Sequence, residues 1–134
     1  MQLDEIATMV DRERADPRSS YPPIVMGDLN AVPDSDEMRR MTGLAPPARS
    51  GLVFTDAWAR VGEGSGATYS ATNPYVVDSA WPERRLDYVL VGWPRPRPAG
   101  NPITARLFGT EPVDGVVASD HYGVVADLHG PGRD

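Results

Sequence analysis

The sequence contains no cysteine and no lysine, and its only imidazoles are His121 and His129. Without thiols there is no disulfide framework and no thiolate metal centre, so a bound metal must be held by oxygen or imidazole ligands. That donor set suits hard ions such as Mg²⁺, Mn²⁺ or Ca²⁺. No apolar run approaches the roughly 20 residues of a membrane span. The start, Met1-Gln2-Leu3-Asp4-Glu5, lacks the basic and apolar segments of a secretory signal. If the chain is complete, this implies a cytoplasmic protein.

What is present is the composition of an ordinary globular domain: 134 residues, 40% hydrophobic and 24% charged. The net charge of −6 argues against a broad electrostatic grip on nucleic acid, which needs a basic face. All 13 basic residues are arginines, and Arg84, Arg85, Arg95, Arg97 and Arg106 gather in one stretch. Their planar forks suit phosphate oxygens, and the same stretch also reads as a solvated Pro-rich loop.

Leu3, Ile6 and Val10 recur at helical spacing, which predicts an amphipathic helix over 2–14. A linker through Pro22-Pro23 leads to the strand Ile24-Val25-Met26. Asp34 with Glu37 three residues on resembles a capping box ahead of a short helix ending near Gly43. Leu52–Trp58 reads as an apolar segment packed on a sheet. Residues 62–83, rich in Gly, Ser, Asn and Pro, read as mostly irregular, with Thr68-Tyr69 as a short strand. Leu86–Val91, Ile103–Phe108 and Val124–Leu128 complete the expected strands, and Pro94, Pro96 and Pro98 stop the first of these.

Three clusters carry acids beside these strands: Gly27-Asp28-Leu29-Asn30, Arg85-Leu86-Asp87-Tyr88 and Ser119-Asp120-His121. Gly-Asp-x-Asn after a strand is a plain turn, since Asp and Asn bond their own backbone. It also sets an acid and an amide where both can converge on one phosphate, with Gly27 letting the backbone approach closely. Asp87, an acid within an apolar strand, needs a partner, either His121 or one of Arg84, Arg85 and Arg106. Asp120 and His121 can reach a shared site only from a bend.

In this order, and with the continuation Ala31-Val32-Pro33-Asp34-Ser35 matching a G-D-x-N-x-x-P-x-S pattern, the clusters resemble the second half of the endonuclease/exonuclease/phosphatase superfamily, the DNase I-like phosphodiesterases. The resemblance implies an α/β (α+β) fold, an α/β/β/α sandwich of two mixed sheets between outer helices. It implies that residues 1–134 are the C-terminal portion of one such domain, with 129–134 as a frayed tail. The family's metal-binding Glu would lie upstream of the 26 residues preceding Gly27, so the chain alone is expected to be a poor catalyst.

The chemistry implied is phosphoester hydrolysis with Mg²⁺ or Mn²⁺. By resemblance, Asp28 orients or deprotonates the attacking water, and Asn30 bonds the phosphate or the water. Asp87 orients His121, which contacts the scissile phosphate, and Asp120 joins Asp28 as a metal ligand. Nucleic acid, a phospholipid headgroup or a small phosphate ester would serve as substrate. Thr68, Asp56 and Trp81 are weaker candidates. Ala80-Trp81 ahead of Arg84 is faintly similar to the P-A-W-C-D-R segment of inositol polyphosphate 5-phosphatases, but no Cys-Asp follows here. The rival account is a non-catalytic half-domain that docks on a missing N-terminal half or dimerises.

Overall fold

A computed structural model describes residues 2–14, 21–93 and 98–131. Helix α1 (Gln2–Glu13) comes first, then strand β1 (Ile24–Asp28), helix α2 (Asp36–Thr42), strand β2 (Phe54–Asp56) and helix α3 (Ala57–Val61). Strands β3 (Asp87–Gly92), β4 (Pro102–Phe108) and β5 (Gly123–Leu128) complete the chain. The strands form one three-stranded sheet in the order β1-β3-β2 and one two-stranded sheet, β4-β5. Every pairing among these strands is antiparallel, where mixed sheets were expected. The combination of helices with two sheets is that of an α/β DNase I-like fold.

The core lies on one face of the three-stranded sheet. Alternation along a strand sends Tyr88 and Leu90 of β3 to that face, where they meet Leu3 and Ala7 of α1, Met38 and Met41 of α2, and Phe54 of β2. The expected amphipathic stripe of α1 is what docks there. The α2 cap lies one residue later than the sequence suggested. Ser35, not Asp34, is in extended conformation and accepts from the Met38 amide, the bond a Ser N-cap makes to an otherwise orphaned donor. Gly43 ends the helix at φ 80°, and a Cβ there would lie 2.8 Å from Val53 Cγ1, so glycine is needed for both conformation and space.

Residues on the opposite face of the sheet are Ile24, Met26 and Asp28 of β1, facing Val91, Val89 and Asp87 of β3. Strand β5 packs against β3, and Val91 on this face is fully buried. Ile24 and Met26 stay 39% and 72% exposed, so the second sheet leaves the β1 end of this face bare. Arg95 and Arg97 lie outside the described residues. His129, read as part of a frayed tail, is tied by its backbone: its amide donates to Asn101 O, and its carbonyl accepts from Gly100 N and the Tyr21 hydroxyl.

Tyr88 is the largest fully buried side chain, and its hydroxyl is directed at two carbonyls, Ala31 O at 2.6 Å and Arg85 O at 3.0 Å. Burial pushes this phenol far above its usual value of 10.0, and the nearby Arg85 charge only partly opposes the rise. Tyr88 therefore stays a neutral donor. A raised folded-state value contributes stability below the unfolded value, about 10. That contribution is lost as pH rises, because only the unfolded chain can then ionise. Tyr88→Phe should cost about 1 kcal/mol near neutrality and flatten the loss of stability above pH 10. Urea midpoints at pH 8 and pH 10.5 measure both effects, and an unchanged slope would contradict this account.

Candidate active site

The register of β1 and β3 places Asp28 directly opposite Asp87. Two like charges facing across a strand pair destabilise it unless a compensating group stands by, and the group present is His121. Its Nδ1 lies 2.8 Å from Asp87 Oδ2 and 3.9 Å from Asp28 Oδ2. An ionised carboxylate only accepts, so Nδ1 must carry the proton in the bond to Asp87, and whenever the imidazole is neutral Nε2 keeps its lone pair. The side chains of Asp87 and His121 are 18% and 21% exposed, and that of Asp28 is 49% exposed. One ligand atom from each of the three lies within 4.8 Å of the others.

The Gly27–Asn30 segment is both a turn and part of this cluster. Asp28 Oδ1 accepts from the Asn30 amide at 2.8 Å, which closes the turn and leaves Oδ2 facing the imidazole. Gly27 adopts φ 133° and Asn30 φ 48°. Asparagine tolerates that left-handed conformation better than most residues. Nothing lies within 4 Å of a Cβ built on Gly27, so the backbone conformation, not close approach, requires glycine there.

The irregular stretch 62–83 holds the site together, which its composition did not indicate. Thr68 is fully buried; its Oγ1 accepts from the amides of Leu86 and Asp87, and its carbonyl accepts from the Tyr122 amide. One residue thus ties the Asp87 strand to the His121 loop. Asn73, also fully buried, donates to Ser119 O at 2.9 Å. Ser119 Oγ accepts from the His121 amide, fixing the bend that carries the imidazole. Tyr69, paired in an isolated bridge with Arg84, sets its ring edge-on to His121 with centroids 5.5 Å apart. The sequence singled out the Thr68-Tyr69 pair only weakly and gave no sign of Asn73's role. The one signal for Asn73 was an Asn-Pro pair, which marks a turn and says nothing of a bond 46 residues away.

Asp28, Asn30 and His121 line a pocket of about 470 Å³ with Tyr69, Trp81, Arg84 and Leu86. This is within the range of small-molecule sites. Asp120 is exposed, its Oδ1 accepting from Ser119 Oγ at 3.3 Å. A larger cavity of about 790 Å³ lies elsewhere, around Trp58, Glu63, Glu111 and Tyr122, and touches none of the three clustered groups.

The arginine stretch divides. Arg84 faces the pocket, whereas Arg85 is buried in an ion pair with Asp56 at 2.7 Å, both side chains 5% exposed. Arg85 therefore cannot meet a substrate, contrary to one reading of the sequence. Asp56 also caps α3 by accepting from the Trp58 and Ala59 amides, a structural role. Arg106 is exposed on β4.

The model of the Endonuclease/Exonuclease/phosphatase family matches residues 5–121, a span that includes all three motif clusters. No curated protein and no solved structure matches the chain.

Proposed function

The chain belongs to the endonuclease/exonuclease/phosphatase family, and on that premise we propose that it is a divalent-metal-dependent phosphoester hydrolase with its reactive centre at Asp28, Asn30, Asp87 and His121. The observation that carries this reading is the Asp87–His121 hydrogen bond opening onto a pocket shared with Asp28 and Asn30. Asp87 holds the imidazole in the tautomer whose Nε2 is unprotonated, the logic of a carboxylate–imidazole pair. That nitrogen can take a proton from the attacking water and, once protonated, donate to an oxygen of the scissile phosphate or its leaving group. Asn30 offers an amide to a phosphoryl oxygen or the attacking water, and Asp28 orients or deprotonates that water.

The donor chemistry fits a hard cation: carboxylates and amide oxygen, no thiolate, and two acids facing one another across the strands. Asp28, the exposed acid of the cluster, would hold it; Asp120, the second ligand the sequence suggested, is exposed and lies outside the Asp28–Asp87–His121 group. Asp87 and His121 Nδ1 satisfy each other, so recruiting them as ligands would sacrifice the bond that orients the imidazole. When bound, a divalent ion supplies charge neutralisation at phosphorus and favours ionisation of water.

Hydrolysis of bis(p-nitrophenyl) phosphate by the intact protein should require Mg²⁺ or Mn²⁺, stop on addition of EDTA, and fall by about 10²–10⁴-fold in His121→Ala. Turnover that survives both EDTA and His121→Ala would overturn the proposal.

A further inference from the structure

Trp81 and Arg84 are not used by the hydrolytic chemistry, yet both line the pocket that holds Asp28, Asn30 and His121. Trp81 is 67% exposed, an unusual position for a large aromatic ring with no role in the core. Its place is nevertheless fixed. The Trp81 amide donates to Ser79 Oγ at 3.1 Å, and the same oxygen accepts from the Tyr69 hydroxyl at 2.8 Å. Tyr69 in turn abuts His121, so the backbone that carries the indole is joined to the framework that positions the imidazole.

The Arg84 guanidinium carbon lies 4.6 Å from the centroid of the Trp81 ring, a cation–π contact. Its Nε donates to Pro82 O at 3.3 Å. No carboxylate of the described residues lies within 4.0 Å of it. A fork held on one side by the indole and on another by a carbonyl, with no acid to neutralise it, is prepared for an anion from solution. Among the described residues Arg84 is also the one arginine lining the pocket. Together with Asn30 and Leu86 it borders a second depression of about 470 Å³, so it stands between the reactive pocket and neighbouring space.

We infer that Trp81 and Arg84 form a specificity subsite, in which Arg84 pairs with a phosphoryl oxygen and Trp81 stacks on a planar nucleobase of the same substrate. The preferred ester is then nucleotide-like, not a sugar phosphate or a lipid headgroup. The net charge of −6 favours a small nucleotide ester over a long polyanion. This inference rests on the hydrolase reading of the same pocket.

Titration calorimetry of the intact protein in Mg²⁺ with adenosine 5′-monophosphate and ribose 5-phosphate separates the two contacts, since the probes differ only in the base. Base–aromatic stacking should make the nucleotide bind at least about 5-fold tighter. Trp81→Ala should bring its affinity down to that of ribose 5-phosphate while leaving the latter unchanged. Arg84→Ala should weaken both probes by a similar factor. Because both side chains stand at the surface of the pocket, circular dichroism should show the variants folded. Equal affinity of the wild-type protein for both probes, or discrimination that persists in Trp81→Ala, would overturn the subsite and leave the hydrolase reading standing. Failure of both phosphates to bind would overturn the subsite, while the hydrolase reading is decided separately by the bis(p-nitrophenyl) phosphate assay.

Discussion

Asp87→Asn is expected to lower kcat for phosphodiester hydrolysis by about 10²–10⁴-fold while leaving the thermal midpoint unchanged or slightly raised. An amide at this position can present either its oxygen or its NH₂ to His121 Nδ1, which is 2.8 Å away. When it presents NH₂, the imidazole must place its proton on Nε2, where it can no longer accept one from the reacting groups. The fold has little reason to suffer. The backbone amide of Asp87 keeps its bond to Thr68 Oγ1, and removing one charge relieves the opposition to Asp28 across the β1–β3 register. Activity and melting temperature together decide the matter. An unchanged rate with a lowered midpoint would assign Asp87 to the fold and remove it from the site.

Asp56→Ala is expected to have the largest effect on stability, about 3–5 kcal/mol, with no direct effect on the reactive groups. Removing this carboxylate strands the guanidinium of Arg85, whose side chain is 5% exposed, in the interior. The Arg85 Nε already has no hydrogen-bond partner there. The same change deletes the acceptor for two amides at the start of α3, so the loss of a cap falls on the same residue. A loss of this size is a large share of the 5–15 kcal/mol typical of a domain. Urea denaturation measures it. Pairing Asp56→Leu with Arg85→Met should recover much of the loss, because two apolar groups need no counter-charge. A loss below about 1 kcal/mol for Asp56→Ala would mean that water reaches Arg85 and the pair is not buried in solution.

What could be read from the sequence was what is written locally. The helical spacing of Leu3, Ile6 and Val10 specified α1, found at Gln2–Glu13. Apolar and β-branched runs located β1, β3, β4 and β5 to within two residues at each end. The three acid-bearing clusters were legible because each is a short string at the end of a strand or bend. Neighbouring residues at the start of β3 show where local reading fails. Arg84 and Arg85 look alike in sequence, but the chain turns one toward the pocket and buries the other against Asp56. Which one faces inward depends on a partner 29 residues away.

The stretch 62–83 was harder still. It has no hydrophobic period, because its task is to bond distant backbone with short polar side chains, Thr68 to Asp87 and Asn73 to Ser119. Such bonds leave no repeat in the sequence. The pairing of Asp28 with Asp87 was equally hidden, since it depends on the register of two strands separated by β2 and two helices.

The most direct test of the Asp87–His121 pair is the long-range ¹H–¹⁵N spectrum of the imidazoles, recorded at a pH where both histidines are neutral. Comparison with His121→Ala separates His121 from His129. The account predicts that His121 carries its proton on Nδ1 and has a bare Nε2, and that Asp87→Asn shifts the population toward the Nε2-protonated tautomer. A wild-type His121 protonated on Nε2, or one whose tautomer is indifferent to Asp87→Asn, would contradict it.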